Sequence, residues 1–297
     1  MTGRFGGVLT AMVTPFDDAG ALDLDAARDL ARFLAANGND GLVVAGTTGE
    51  SPVLTDDERL SLLAAVVEAV SIPVIAGTTT NDTAHSVHLT AEASKLGVAG
   101  ILAVSPYYNR PSQAGLDAHV RAVATVTNLP VILYDIPIRT GRKFATETML
   151  TLAREVPNVV GLKDAAGNPA ETARLVAAAP GDFEVYSGDD NMTLPLLAVG
   201  AVGVVGVATH WCSADVAEML ALWAKGDTDG TRRVNARLIE SWGFETGDEA
   251  PNPVPAKAML REMGLRVGEC RLPMGPTPDW LPARARTVLA NLQSNRI

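Results

Sequence analysis

Short apolar runs alternate with longer amphipathic segments along most of the chain. The runs are rich in Val, Ile, Leu and Ala, which is typical of parallel strands buried on both faces. They recur at intervals of roughly thirty residues, the length of one strand, one helix and their connections. We predict strands at Val8–Val13, Gly41–Ala45, Pro73–Gly77, Gly100–Val104, Val131–Tyr134, Val159–Lys163, Glu184–Ser187 and Gly203–Val207.

Helical periodicity fills the segments between the runs, and polar residues suited to capping stand at the start of several of them. The predicted helices include Asp23–Asn37, Asp56–Val70 and Asn81–Leu96. The predicted cap residues are Asp23, Thr55, Asn81 and Ser112. After the eighth run the chain still has a helical pattern, with breaks at Gly243–Pro255 and Arg271–Pro278.

A strand followed by a helix, eight times over, predicts a closed (β/α)8 barrel, the TIM barrel. We assign residues 1–225 to the barrel and residues 226–297 to a C-terminal helical extension packed on it. An open doubly wound sheet is the alternative. Such a sheet would carry a glycine-rich phosphate turn after its first strand, whereas this strand runs into Thr14-Pro15-Phe16-Asp17.

Composition and charge narrow the class of protein. Hydrophobic residues make up 47% of the chain and charged residues 20%, an ordinary globular profile. A net charge of −10 does not favour binding to nucleic acid or to an anionic membrane. Because the sequence has no apolar signal region and no stretch apolar enough to span a bilayer, we expect a cytoplasmic protein. Cys212 and Cys270 lie far apart and predict two buried thiols rather than a disulfide.

Lys163 differs from the other lysines in its position. It ends an apolar run at the carboxyl end of the sixth predicted strand, where barrel enzymes hold their catalytic groups. A structural ion pair is the alternative explanation, but Asp164 is a poor partner because adjacent strand residues point to opposite sides. The other lysines fall in predicted helix termini or in a loop: Lys95, Lys143, Lys225 and Lys257.

A desolvated lysine has a larger share of neutral amine, which can attack a ketone. The resulting iminium withdraws electrons, so a methyl group beside it can lose a proton and pyruvate becomes an enamine nucleophile. Lys163 therefore predicts Schiff-base chemistry without a cofactor. We expect no metal, since His85 and His88 are three residues apart on a helix without an evident third ligand. The sequence also has no Walker loop, dinucleotide fingerprint or nucleophile elbow.

Polar residues follow two other predicted strands. The loop Gly46–Ser51 offers the hydroxyls of Thr47 and Thr48 to a carboxylate, although a polar turn that caps the next helix is the alternative. Tyr134 ends the fifth strand, where a phenol can relay protons. Arg139 could bind a carboxylate bidentately. A core tyrosine and an exposed loop arginine are the alternatives for these last two residues.

Two further loops complete the candidate site. Tyr107 and Tyr108 stand in a proline-bounded loop after the fourth strand, which favours an aromatic contact across a subunit interface. Gly188 follows the seventh strand and allows the backbone to approach a ligand. Asp189 and Asp190 are predicted to cap the next helix.

Together these stretches resemble the dihydrodipicolinate synthase/N-acetylneuraminate lyase family, and the resemblance covers nearly the whole chain. The synthase branch of the family is the more similar one. The matching stretches are Gly46–Ser51, Pro106–Pro111, Tyr134–Pro137, Arg139–Gly141, Gly161–Asp164, Ser187–Asp190, Pro251–Lys257 and Arg271–Met274.

The resemblance implies a role for each matching residue. Lys163 would form the imine with pyruvate. Thr48, Tyr134 and Tyr108 would form a proton relay, with Tyr108 donated by a neighbouring subunit. The pyruvate carboxylate would be bound by Thr47 and Thr48.

The resemblance also implies the second substrate, L-aspartate 4-semialdehyde, whose carboxylate Arg139 would receive. Gly188 and Val205 would contribute backbone groups around the site. The product, 4-hydroxy-tetrahydrodipicolinate, feeds lysine and diaminopimelate synthesis, and family members are usually homotetramers built as dimers of dimers.

Other functions remain open at this point. One is another pyruvate-dependent aldolase or lyase of the family that acts on sialic acid or a keto-deoxy sugar acid, and a hydratase-aldolase for aromatic substrates is a further one. Arg139 favours a short substrate with its own carboxylate. A non-catalytic sensor of keto acids is disfavoured by Lys163, Tyr134 and Thr48 together, since binding alone needs neither an imine nor a relay.

One departure from the family pattern concerns feedback by lysine. The family's lysine site uses acidic and histidine side chains near the start of the second and third helices. The matching positions here are Asp56, Arg59, Asn81 and His85. Because His85 replaces the carboxylate that would grip the lysine amino group, we predict weak or absent inhibition by lysine.

Overall fold

A computed structural model describes residues 3–295 of the chain. Its eight strands form a closed parallel barrel in which each strand pairs with its sequence neighbours and the first pairs with the eighth. The strands are β1 Val8–Ala11, β2 Gly41–Val44, β3 Val74–Gly77, β4 Gly100–Val104, β5 Val131–Asp135, β6 Val159–Asp164, β7 Glu184–Ser187 and β8 Gly203–Gly206.

Twelve α-helices are described, and most of them surround the barrel. They are α1 Leu24–Ala36, α2 Asp56–Ala69, α3 Thr83–Ala93, α4 Gln113–Thr125, α5 Pro137–Thr140, α6 Thr146–Glu155, α7 Pro169–Ala178, α8 Thr193–Leu197, α9 Thr209–Ala224, α10 Thr228–Phe244, α11 Val254–Glu262 and α12 Leu281–Ser294. Short 3-10 turns lie at Ser51–Val53 and Asp190–Met192.

The predicted boundaries were close, with local differences. Strand β1 ends at Ala11 rather than Val13, because the Val13 amide leaves the sheet and donates to the His210 ring. Helix α3 is capped by Asp82 and not by the predicted Asn81. The Asp82 carboxylate accepts a hydrogen bond from the His85 backbone amide. The Asn81 backbone carbonyl instead accepts a hydrogen bond from the side-chain amide of Asn109 in a neighbouring loop.

Successive side chains along each strand point to opposite faces of the barrel wall, and this alternation separates two apolar layers. One face packs against the helices, and the other fills the barrel interior, as the strand period of two requires. The interior cluster includes Leu9, Val43, Ile75, Leu102, Ile132, Tyr134, Tyr186 and Val205. The barrel interior is therefore a packed core.

Helices α10, α11 and α12 follow helix α9; α10 and α11 contact α9, and α12 packs on α10 and α11. The Trp211 indole of α9 donates to the Ser241 hydroxyl of α10 at 3.1 Å and meets the Phe244 ring edge-on, with centroids 6.0 Å apart. Between residues 3 and 295, no helix is both long and apolar enough to cross a membrane. Cys212 and Cys270 are not joined in a disulfide, and Cys270 is only partly buried rather than buried as predicted.

Candidate active site

Lys163 lies at the carboxyl end of β6, in register with Tyr134 of β5 on one side and Tyr186 of β7 on the other. Its side chain is 4% exposed, and its Nζ stands 4.3 Å from the centroid of the Tyr134 ring. An ammonium over an aromatic face gains a favourable cation–π contact. The amine and the phenol ring predicted from the sequence are therefore neighbours.

Asp164 points away from Lys163, to the opposite side of β6. Its carboxylate accepts the Thr172 hydroxyl of α7 at 2.5 Å and the Ala166 amide at 2.9 Å. The adjacent carboxylate thus connects the strand to the surrounding helices and is not the lysine's ion-pair partner.

Gly188 packs directly against the catalytic candidate. A Cβ at this position would lie 2.9 Å from Lys163 Cγ, closer than real Cβ atoms approach, and a tight 3.1 Å from Ala165 Cβ. Its amide donates to the Asp164 carbonyl at 2.7 Å, which fixes the turn after β7 beside β6. Val205 lies on β8 in the interior cluster and is 1% exposed.

A cavity of about 200 Å³ opens at the carboxyl end of the barrel. Its lining includes Thr47, Tyr134 and Arg139, three of the predicted site residues, and it also includes Tyr107. The cavity therefore offers a hydroxyl, a phenol and a guanidinium at one mouth, as a small anionic substrate would need.

Thr48 occupies a different place from Thr47. It is 3% exposed, and its hydroxyl accepts a hydrogen bond from the Asn252 amide at 3.0 Å. Arg139 in turn donates to the Asn252 backbone carbonyl at 3.2 Å. Asn252 therefore links the threonine loop to the arginine. The stretch Pro251–Lys257, which contains Asn252, resembles the family, but no role was predicted for Asn252 itself.

The structure separates the two tyrosines of the Pro106–Pro111 loop. Tyr107 is half-buried in the cavity wall, and burial raises the pKa of its phenol while the charge of Arg59 opposes the rise. Tyr108 is 89% exposed and has a φ of 74°. Its phenol is thus presented outward and does not join the cavity lining of its own chain.

A second buried lysine was not anticipated. Lys257, in α11, is fully buried, and its Nζ approaches Glu50 Oε1 to 2.7 Å and the Glu269 carbonyl to 3.0 Å. Glu50 stands in the threonine loop with a φ of 55°. The pair therefore holds this loop against the C-terminal helices. Truncating one partner would leave an uncompensated buried charge.

Asp189 and Asp190 do not cap a helix as predicted. Asp189 occupies the N-cap position of the Asp190–Met192 turn but makes no side-chain cap bond. The Asp190 carboxylate is directed instead to the Val207 amide, at 2.7 Å. A cap would have required the carboxylate to turn back onto its own backbone, whereas the β8 loop supplies a donor on the other side.

The positions matched to the family's lysine site cluster near α2 and α3. His85 Nε2 lies 2.9 Å from the Asp56 carboxylate. Arg59 is 4% exposed and donates to the Ser51 carbonyl at 2.7 Å, while the Asn81 carbonyl accepts the Asn109 amide. In the described part of the chain, no cluster of three His, Cys, Asp or Glu residues could hold a metal ion.

A closed (β/α)8 barrel with a buried lysine beside a tyrosine and a polar cavity at its carboxyl end has the arrangement of a barrel enzyme. The model of the dihydrodipicolinate synthetase family matches residues 4–288, and the chain belongs to that family.

Known proteins agree with this assignment along nearly the whole chain. The 4-hydroxy-tetrahydrodipicolinate synthase of Moorella thermoacetica is 48% identical over 273 residues, which cover 91% of this chain and 92% of that protein. The synthase of Acidothermus cellulolyticus is 49% identical over 289 residues, covering 96% and 92%. The lysine-bound crystal structure of the enzyme from Cyanidioschyzon merolae superposes with a TM-score of 0.95 at 41% identity, covering 98% and 99%. These matches confirm the predicted family, barrel fold and enzyme class.

Proposed function

We propose that the chain condenses pyruvate with L-aspartate 4-semialdehyde through an imine on Lys163 and forms 4-hydroxy-tetrahydrodipicolinate for lysine and diaminopimelate synthesis. The observation that carries this proposal is a buried amine at the end of β6, 4.3 Å from the Tyr134 ring, beside a polar cavity. Relatives that are named synthases share about half of their residues with this chain.

The first half of the reaction activates pyruvate. The neutral amine of Lys163 attacks the ketone carbon, and the carbinolamine loses water to give an iminium. The methyl carbon then loses a proton, and the electron pair moves toward nitrogen to form the enamine. Both steps need a group that takes and returns protons near the reacting carbon.

Tyr134 and Thr47 are suited to this proton transfer. The Tyr134 ring lies beside the amine, and both residues line the cavity. The resemblance implied Thr48 in this role, but its hydroxyl already accepts the Asn252 amide outside the cavity lining. We therefore propose Thr47 as the relay hydroxyl and Thr48 as a residue that shapes the loop whose amides face the pyruvate carboxylate.

The second half of the reaction consumes the aldehyde. The enamine carbon attacks the aldehyde carbon, and the new alkoxide takes a proton. The amino group of the second substrate then attacks the iminium carbon and displaces the Lys163 amine, which closes the ring and frees the enzyme. We propose that Arg139 receives the carboxylate of this substrate; its position at the cavity and its bond to the Asn252 carbonyl support this role.

The remaining proposals concern the whole protein. We propose a cytoplasmic homotetramer, a dimer of dimers in which Tyr108 enters the site of a neighbouring subunit, because its phenol faces outward in its own chain. We also propose that residues 1–225 form the barrel and residues 226–297 form the C-terminal extension. Gly188 and Val205 would shape the wall around the imine.

Borohydride trapping tests the proposal directly. The protein is incubated with pyruvate, reduced, digested and mapped by mass spectrometry, with Lys163→Ala as the loss variant and Lys225→Ala, at an exposed lysine, as the matched control. The adduct is expected on Lys163 in the wild type and the control only. An unmodified Lys163 would refute the imine. Faster turnover of a keto-deoxy sugar acid than of the semialdehyde would refute the second substrate.

A further inference from the structure

Two buried carboxyl groups meet behind the wall of the lysine site. Asp190 begins the turn after β7, and Glu245 follows the last residue of α10; they are 2% and 6% exposed. Asp190 Oδ2 accepts the Val207 amide at 2.7 Å, and Glu245 Oε2 accepts the Ala208 amide at 3.1 Å. Two acidic side chains therefore bind consecutive amides of the loop after β8.

The second oxygen of Asp190 requires a donor. Asp190 Oδ1 is buried, and among the described residues it has no hydrogen-bond partner as long as both carboxyls are ionised. Glu245 is the neighbouring group that can supply a proton to it. Burial raises the pKa of Glu245 well above its ordinary value, and the charge of Asp190 raises it further. A protonated Glu245 and an ionised Asp190 thus satisfy each other.

The surrounding groups fit this distribution of charge. Burial raises the pKa of Asp190, while the ammonium of Lys163 lowers it, so that lysine favours the ionised form of Asp190. Asp189 also adds negative charge toward Glu245 and disfavours its ionisation. His210 of α9 donates from Nδ1 to the Val207 carbonyl, and burial lowers its pKa to about 4, so the ring is neutral at pH 7.

The pair joins the segments that flank the lysine. The connection after β7 carries both Gly188 and Asp190, and Gly188 lies against Lys163 Cγ. The loop that it binds follows β8, the strand that carries Val205. A side chain at Gly206 would overlap Asp190 Oδ1, so the carboxylate lies directly over the strand backbone.

We propose that Asp190 and Glu245 share one proton and act as positioning residues that hold the turn after β7 and the loop after β8 around the pyruvate imine. The proposal rests on the imine at Lys163. Neither carboxyl lines the cavity at the mouth of the barrel. Each acts through the backbone it binds, and Glu245 connects the end of α10 to the loop after β8.

The shared proton has a consequence for stability. Glu245 binds its proton more tightly in the folded than in the unfolded chain, so the folded state gains stability from this proton at low pH. That contribution is lost progressively as the pH rises above 4.5, the ordinary value of a glutamate pKa. A glutamine keeps the hydrogen bond and has no proton to lose, so Glu245→Gln should abolish this part of the pH dependence.

Three variants test the proposal: Glu245→Gln, Glu245→Ala and the control Glu147→Gln, at an exposed glutamate of α6. We expect Glu245→Gln to keep kcat and the pyruvate KM within about twofold at pH 7. We expect Glu245→Ala to raise the pyruvate KM and slow imine trapping by about tenfold or more, since small displacements of positioned groups are costly. The control should match the wild type.

Urea unfolding between pH 6 and 9 provides the second measurement and covers the case in which Glu245→Ala fails to fold. The Glu245→Gln protein should gain stability relative to the wild type as the pH rises. Equal damage from Gln and Ala, or a normal pyruvate KM in a folded Glu245→Ala protein, would overturn the proposal. A wild type that forms no imine would instead overturn the proposed function.

Discussion

Gly188 shows how a single residue without a side chain shapes the candidate site. Lys163 passes beside its Cα, and the turn closes on β6 through the bond from its amide to the Asp164 carbonyl. The φ of Gly188 lies outside the left-handed region, so this glycine is required for close approach rather than for an unusual backbone angle. A methyl group here would meet the stem of the reactive lysine.

We expect Gly188→Ala to reduce activity by about tenfold to a hundredfold, because it displaces the amine. The unfolding free energy should fall by about 1–3 kcal/mol through overpacking. Steady-state kinetics and urea unfolding measure the two effects. Gly181→Ala is the matched control, since a Cβ there would meet nothing within 4 Å. Unchanged kinetics in Gly188→Ala would contradict the close approach.

The positions of some buried polar residues could be predicted from the sequence, whereas others could not, and the difference has a physical reason. Lys163 and Tyr134 were found because each ends an apolar run, which places both at one end of a parallel barrel. Lys257 was assigned to an ordinary helix start, since its partner Glu50 belongs to a loop far away along the chain. Pairings between distant segments leave no local pattern, and the same holds for Asp190 with Glu245.

At the scale of elements, the segment after α11 returns to the mouth of the barrel. The Arg271 amide donates to Glu50 at 2.8 Å, and its guanidinium binds the Glu58 carboxylate at 2.5 and 2.9 Å. Glu58 also completes the capping box of α2 with Thr55. One carboxylate thus caps the helix and receives the C-terminal segment, which keeps the threonine loop in place.

The Glu58 carboxylate should stabilise the fold in a pH-dependent way. Its hydrogen bonds with Arg271 lower its pKa from 4.5 to about 2, so its contribution is complete above 4.5 and is lost as the pH falls toward 2. Glu58→Gln should therefore be less stable than the wild type at pH 6, and the difference should shrink in acid. Urea midpoints from pH 6 to 3 measure it, and a pH-independent difference would contradict the ion pair.

The prediction of weak or absent inhibition by lysine depends on residues of helices α2 and α3. His85 holds the Asp56 carboxylate, and Arg59 is buried against Ser51. We expect millimolar lysine to inhibit weakly or not at all, and His85→Glu, which restores a carboxylate, to increase the inhibition. Initial rates against lysine concentration measure it. Strong inhibition of the wild type at sub-millimolar lysine would contradict this prediction, and Glu147→Gln serves as a surface control.

At the scale of the whole molecule, the barrel was predictable because eight apolar runs at regular spacing admit few other architectures. A single chain brings together only part of the predicted site. Thr47, Tyr134 and Arg139 meet at the cavity, whereas Tyr108 points outward from the same mouth. A phenol that serves the relay from this position has to reach the cavity of another copy.

Mixed oligomers test whether Tyr108 acts in a neighbouring subunit. Lys163→Ala and Tyr108→Phe proteins should each be nearly inactive alone. If Tyr108 acts across the interface, every mixed dimer contains one complete site, because one chain supplies the lysine and the other the phenol. Random reassembly of equal amounts should then restore about one quarter of wild-type activity. If the phenol acts within its own chain, no complete site can form and mixing restores nothing. Denaturation and joint refolding, with each variant refolded alone as the control, distinguish these outcomes.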